Sequence, residues 1–275
     1  MQDDAVAAAL READPDRHLA TLYAPEQKRP ALQALYAFDA EVGALRERVR
    51  EPMAGEIRLQ WWRDALALPA GELTGSPLAD ALRAAVVQFH LPAAALDRLI
   101  EARIFDLYDD PMPDRTTLEG YLGETRSAVI QLAMQVLDAG AAQGFSDAAG
   151  HGGCALGIAE IVRSLPAHRR RGQCLVPTDL LAAAGTSREA LLQGEASAGA
   201  AIAAMVALGR EHLSRFREAA RGLPQSLRPA FLPLAAVAPV LNKTERLGAA
   251  ALETPARLSP LRRQWRLFRA AAGRW

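Results

Sequence analysis

Apolar residues recur along this chain at steps of three and four, the spacing that lines one face of an α-helix. The pattern is clearest over residues 35–66, LYAFDAEVGALRERVREPMAGEIRLQWWRDAL, where Leu35, Phe38, Val42, Leu45 and Val49 form one stripe. Glu51 and Pro52 end it, because a residue before proline is pushed out of the helical region and proline brings no backbone donor. The chain restarts near Gly55. There Ile57, Trp61, Ala65 and Leu68 make one apolar line and Leu59, Trp62 and Leu66 a second, so this helix is expected to be buried over a broad face. The same period predicts helices over 3–13, 30–50, 55–67, 78–89, 92–107, 117–137, 148–165, 179–184, 195–221, 226–240 and 260–272. Alanine, leucine and arginine dominate, no β-branched run demands a strand, and the expected fold is all-α.

The breaks between these helices have their own chemistry. Asp16 to His18 and Ala24-Pro25 interrupt the N-terminal segment, 69–77 is a Gly/Pro/Ser loop, and Pro111 and Pro113 punctuate an acidic stretch. Thr116 or Thr117, with Glu119 and Gly120 behind it, marks a helix entrance capped by a hydroxyl. The glycines of 140–144 and 150–153 read as flexible connections, and no internal repeat is found.

With 275 residues the chain is long enough for one large core, and a single domain over 1–275 is expected. Its 32 basic residues balance 32 acidic ones, which argues against a nucleic-acid partner, since phosphate binding leaves an excess of Lys and Arg. Cys154 and Cys174 are too few and too far apart for a zinc site or a disulfide framework, and fit a reducing, cytoplasmic compartment. The start, MQDDAVAAALREADPDRHLATLYAP, lacks the basic-then-apolar layout of a secretory signal. The apolar run over 230–241 is cut by Pro233 and Pro239 and falls short of the roughly 20 residues a membrane span needs. A soluble protein is therefore expected, with docking on a membrane surface left open.

Four groups of residues could carry chemistry. Asp39, Glu41 and Glu47 share a helix, but Asp39 and Glu47 stand about 12 Å apart by helix rise and cannot chelate one ion together. A solvated acidic face paired with Arg46 and Arg50 is the simpler reading. Asp106, Asp109 and Asp110 precede Pro111 and read as a frayed acidic helix end rather than a magnesium site. His168 with Arg169, Arg170 and Arg171 is the densest positive patch, fit either to hold a diphosphate or simply to keep the surface soluble. In the last helix Leu258, Leu261, Trp265 and Phe268 share a face ringed by Arg262, Arg263, Arg266 and Arg269. That face is expected to be the final core helix, its arginines reaching out to water, although such a helix can also lie on a membrane or a partner. None of the five histidines is spaced for nucleophilic catalysis, and each is expected to be structural.

The succession RHLATLYAP, ALYAFDAEV, EIRLQWWRDAL, YLGETRSAVIQLA, GIAEIVRSLP and RRRGQCLVPTDLL resembles the squalene/phytoene synthase family over nearly the whole chain. The resemblance implies the isoprenoid synthase fold, a helical bundle around a central apolar cavity. It also implies, for active members, head-to-head condensation of two prenyl diphosphates. Their diphosphate leaving group is neutralised by magnesium ions held on two aspartate-rich motifs, because a multiply charged anion needs hard cations with oxygen ligands.

This sequence departs from the family at both motifs. Gly43, Ala44 and Glu47 stand where the first motif has three aspartates, and Glu160, Arg163, Ser164 and His168 stand on the second, where the arginine survives and both aspartates are gone. Ser127 and Ile130 replace small glycines, which is expected to narrow the cavity. These departures, and the Trp-containing tail PLRRQWRLFRAAAGRW, are similar to a non-catalytic branch of the family that includes the mitochondrial assembly factor for respiratory complex I. The resemblance thus implies no catalytic residue, no metal and no cofactor. It implies an isoprenoid or lipid ligand, with Arg163, Arg169, Arg170 and Arg171 expected to contact its anionic head, and a partner in a membrane respiratory complex. From the residues themselves come two further expectations: peripheral membrane contact through the last helix, and a cytoplasmic place at the inner membrane. The alternative is an active prenyltransferase with an altered metal site, using Glu47, Glu160 and His168 with magnesium.

Overall fold

A computed structural model describes residues 2–69 and 71–273, without the side chains of Gln2 and Asp3; Ala70 of the expected 69–77 loop, and Arg274 and Trp275 of the Trp-containing tail, lie outside the described residues. In chain order the helices are α1 (Gln2–Ala13), α2 (Pro15–Thr21), α3 (Arg29–Gly43), α4 (Leu45–Arg48), α5 (Pro52–Ala67), α6 (Pro77–Phe89), α7 (Ala93–Ile104), α8 (Arg115–Leu122) and α9 (Ala128–Ala142). They continue with α10 (Ser146–Arg163), α11 (Leu165–Arg170), α12 (Thr178–Ala183), α13 (Arg188–Gln193), α14 (Ala198–Ala219), α15 (Arg228–Phe231), α16 (Val237–Leu247) and α17 (Pro260–Ala271). No strand occurs among the described residues, so the all-α expectation holds. The chain forms two compact units, each assembled from three stretches: Met1–Tyr108, Ala128–Ser146 and Leu223–Leu232 in the first, Asp109–Ser127, Asp147–Gly222 and Pro233–Trp275 in the second.

The first unit is built around α3, which is apolar on almost every side and packs against α1, α2, α6, α7 and α9. Leu32, Leu35, Phe38 and Val42 are fully enclosed. The expected helix over 30–50 is in fact two. Gly43, a weak helix former, closes α3, Ala44 leaves the helical region at φ −92°, ψ 0°, and α4 is a single turn before Val49 becomes extended. The Ala44 N–H is shared between the carbonyls of Ala40 and Glu41, at 3.1 and 3.3 Å, as at a tightening helix end.

α5 starts at Pro52 rather than near Gly55, because proline suits the first helical position, where its missing donor has no partner to lose. Its buried residues are Gly55, Leu59, Trp62 and Ala65, while Ile57 is 66% exposed. The broad buried face is therefore a narrow stripe, pressed against α7 and the turn after it; a Cβ at Gly55 would overlap the Leu107 side chain. Trp62 meets Phe38 edge-on with ring centroids 4.8 Å apart. Asp16 to His18 do not interrupt the N-terminal segment but lie in α2, which Asp14 caps by accepting from the Arg17 N–H at 3.0 Å.

In the second unit the entrance to α8 is capped by Asp114, which accepts from the Thr117 N–H at 2.7 Å, and not by a threonine hydroxyl. The stretch expected to be one helix over 117–137 contains a π-helical turn over Gly123–Ser127 between α8 and α9. The glycines of 150–153 are helical rather than flexible, and their lack of side chains is used for packing. A Cβ at Gly153 would run into the Ser127 backbone, one at Gly157 into Leu122, and one at Gly152 would lie 3.0 Å from Leu234. Gly153 and Gly157, one turn apart on α10, let α8 and its π turn lie directly against that helix. Gly209 does the same on α14, where a Cβ would meet Leu241 of α16 at 3.0 Å and Ile158 of α10 at 3.1 Å. The helix expected over 226–240 begins as the single turn α15 and a 3-10 stretch over Leu232–Ala236, and α16 carries on to Leu247. Pro233, which lacks a donor, sits at that irregular junction.

Gly153→Ala decides between propensity and packing. Propensity alone would stabilise an interior helical position by about 1 kcal/mol. The backbone overlap is expected to reverse the sign and cost about 1–3 kcal/mol. Urea denaturation reads this as a lowered midpoint, and a raised midpoint would show that the contact yields freely.

Candidate functional site

In the first unit, the positions laid on the first motif lie where α3 ends. A Cβ at Gly43 would meet the Arg103 guanidinium at 3.3 Å, so this position faces a cation. Arg103, on α7, donates to Asp39 at 2.8 Å and to Asp106 at 3.1 Å, and Arg17, on α2, donates to the other oxygen of Asp39 at 2.5 Å. Asp39 is 1% exposed and Arg103 3%. The same Arg17 guanidinium lies over the ring of Tyr36, whose phenol is pushed well above its usual range by burial.

Two expectations are corrected here. Asp39 is not on a solvated acidic face with Arg46 and Arg50, and Asp106 is not a frayed end but a buried partner of Arg103 in the 3-10 turn Phe105–Leu107. The arginines that bury Asp39 arrive from elements 22 and 64 residues away, and no periodicity within α3 announces them. Glu41 accepts from Arg58 at 2.6 Å and from the Trp62 indole at 3.3 Å. Ala44 joins α3 to α4, and Glu47 lies exposed on α4.

In the second unit, the positions laid on the second motif run from the end of α10 into α11. Glu160 accepts from Arg126 Nε at 2.6 Å, and Arg126 comes from the π-helical turn. Arg163 is half-buried and makes no hydrogen bond or ion pair among the described residues. Ser164 breaks the helix, and His168 lies on α11. The basic cluster does not act as one patch. Arg169 donates to the carbonyls of Leu192 and Gln193 at 2.8 and 2.7 Å, closing the C-terminus of α13, where Gly194 adopts φ +81° and a side chain would collide with the guanidinium. Arg169 also reaches Glu253 at 3.5 Å, while Arg170 is exposed and makes no ion pair among the described residues. A cavity of about 350 Å³ lies between Pro166, Arg169, Arg170, Leu192, Leu252 and Glu253.

A polar network in the second unit joins residues far apart in the sequence. His151 Nδ1 lies 3.1 Å from His212 Nδ1, and His212 Nε2 lies 3.0 Å from Glu119. Arg115 donates to Glu119 at 2.7 Å and makes a two-pronged pair with Glu211 at 3.0 Å, tying α8, α10 and α14 together. With both imidazoles neutral, His212 donates to Glu119 through Nε2 and accepts at Nδ1 from His151, which leaves His151 Nε2 as an acceptor; with His212 doubly protonated the same contacts are met by its donating at both nitrogens. Burial, then the neighbouring His212 and Arg215, lower the His151 pKa. Burial opposes ionisation of Glu119, but the hydrogen bonds from Arg115 and His212 outweigh it and hold the carboxyl below its ordinary value. Cys154 beside them is pushed up to about 11 by burial and the Glu119 charge, so it stays a thiol. A signal was available: His212 falls on the buried stripe of α14 with Ile202, Met205, Gly209 and Phe216, and a histidine on an apolar stripe needs a partner.

The fold is that of the isoprenoid synthases: a dehydrosqualene synthase crystallised with ligand superposes with a TM-score of 0.83 at 15% identity, over 99% of this chain and 96% of that one. The squalene/phytoene synthase family model matches residues 10–269, and the chain belongs to that family. The NADH dehydrogenase (ubiquinone) complex I assembly factor 6 of Mus musculus is 28% identical over 242 residues, 86% of this chain and 72% of that protein. The presqualene diphosphate synthase of Zymomonas mobilis is 31% identical over 166 residues, 58% of this chain and 55% of that one.

Asp39→Ala strands two buried guanidinium groups and is expected to cost about 3–5 kcal/mol. Arg63→Ala, which breaks the more exposed pairs of Arg63 with Asp97 and Glu101, should cost under about 1 kcal/mol. Parallel urea melts check the contrast. A second outcome concerns pH. The lowered His151 pKa means that the unfolded chain takes up this proton first. Stability is therefore full above the ordinary value of 6.5 and declines as pH falls from there through the folded value. Histidine-resolved NMR titration should find His151 titrating below 6.5, and His151→Gln should flatten the acid-side loss of stability.

Proposed function

We propose that this chain is a single family domain that keeps the isoprenoid synthase fold without head-to-head condensation, and that it binds an isoprenoid or lipid while assisting assembly of a membrane respiratory complex. The observation that carries this reading is the Arg103 guanidinium against Gly43, held by Asp39 and Asp106. A magnesium cluster needs several convergent carboxylate oxygens. Here the buried carboxylates of the first unit serve arginines, Glu160 is paired with Arg126, and Gly43, Ala44 and Ser164 offer no carboxylate. Among the described residues no three His, Cys, Asp or Glu side chains are placed to hold one ion together. This donor set does not fit the family's metal cluster.

The assembly role rests on the likeness to complex I assembly factor 6 over 86% of the chain. The ligand role rests on Arg163, at the end of α10, and Arg170, between Arg169 and Arg171, two guanidinium groups without an ion pair among the described residues. They would take the anionic head of an isoprenoid or lipid, as charge-assisted donors. Among the described residues no helix is long and apolar enough to cross a membrane, and a cytoplasmic protein working at the inner membrane is consistent with that.

The second reading, a prenyltransferase with an altered metal site on Glu47, Glu160 and His168, is favoured by the 31% identity to a presqualene diphosphate synthase. One experiment separates the two. Purified protein incubated with farnesyl diphosphate and magnesium is expected to give no presqualene diphosphate, squalene or phytoene, and appearance of any of these overturns the proposal. Calorimetry with farnesyl thiodiphosphate, a non-reacting analogue, is expected to show binding that Arg163→Ala weakens by about tenfold, the size of one lost charged hydrogen bond. Deleting the gene should lower the amount of assembled respiratory complex on native gels.

A further inference from the structure

α17 does not bury the face that its apolar residues mark out. Leu261, Trp265 and Phe268, at steps of four and three, are 79, 61 and 56% exposed. The helix instead docks on the second unit through Leu267 and Ala270, on the opposite side. The expectation that the Trp265 face completes the core is thereby overturned: α17 has two apolar faces, and the protein covers the smaller one. Trp265 and Phe268 stack on each other, 5.8 Å between centroids at 26°, which presents one flat aromatic tip to the outside.

Between the two faces runs a flank of Arg262, Arg266 and Arg269, again at steps of four and three, all exposed. Six arginines and no acidic residue follow Glu253, in a chain whose overall charge is zero. Beneath this flank lies a cavity of about 260 Å³ whose lining includes Arg217, Arg266 and Arg269 over Leu213, Phe216 and Leu234, with no carboxylate in its wall.

We propose that the Leu261, Trp265 and Phe268 face of α17 docks on an anionic phospholipid bilayer, with Arg262, Arg266 and Arg269 at headgroup level and the cavity at Arg217 receiving a lipid phosphate. Aromatic tips flanked by arginine suit the interface between headgroups and acyl chains. The exposed face spans about 10 Å of helix. At a helix width of about 10 Å that is on the order of 100 Å², far short of the roughly 800 Å² per partner of a stable protein interface. Pairing with a second copy would also bring two arginine flanks together. The inference stands whether or not the chain retains prenyl transfer.

Flotation of the full chain with vesicles tests it. Binding to phosphatidylcholine vesicles containing phosphatidylglycerol is expected to exceed binding to pure phosphatidylcholine by at least about tenfold, and to fall with added salt. Trp265→Ser with Phe268→Ser should abolish it without moving the thermal midpoint, since both side chains are exposed. Arg262→Gln with Arg266→Gln should reduce it by about fivefold or more per charge. Equal binding to neutral vesicles, or unchanged binding by the aromatic variant, overturns the proposal. So does a solution dimer that the aromatic variant dissolves, which would assign the face to a second copy.

Discussion

The buried pairing of Asp39 with Arg17 and Arg103 is the constraint on which the first unit depends. A carboxylate within α3, the helix against which α1, α2, α6, α7 and α9 pack, is tolerable only if guanidinium groups satisfy it. Meeting that need recruits α2 and α7 to the same helix. It also determines what surrounds the end of α3, since Arg103 fills the space that a side chain at Gly43 would enter. Gly43, the position laid on the family's first motif, is here lined by a positive charge that the protein neutralises for itself.

The second unit is organised by close approach rather than by charge burial. Gly153, Gly157 and Gly209 remove side chains where α8, α10, α14 and α16 meet, so backbones come into near contact. The polar groups drawn into that region have to find one another, and they do so as the chain of Arg115, Glu119, His212 and His151. Packing and the hydrogen-bond network are thus two aspects of one arrangement. The proximity that glycine permits is also what brings two imidazoles to 3.1 Å.

Much of this was readable from the chain. The helical period places most of the helices it predicts within a few residues of their bounds, and the order of six segments points to the family that the match over residues 10–269 establishes. Reading failed where one position serves two demands. Asp39 looked solvated because its partners lie far away in sequence. Gly153 looked flexible because glycine usually marks a turn, whereas here it marks a contact. α17 was expected to bury its most apolar side, yet Trp265 faces outward, because a helix wheel says which residues are alike and not which face the neighbours cover.

By itself the sequence determined that the protein is all-α and where most of the longer helices run, because helical period is a local property written in consecutive residues. It also determined which residue types stand at the motif positions. Only the tertiary structure decided what those residues meet: Arg103 at Gly43, Arg126 at Glu160, His151 at His212, and the outward exposure of Trp265 among the described residues. Each of these depends on segments far apart in the chain being brought together, and a linear pattern carries no record of that distance.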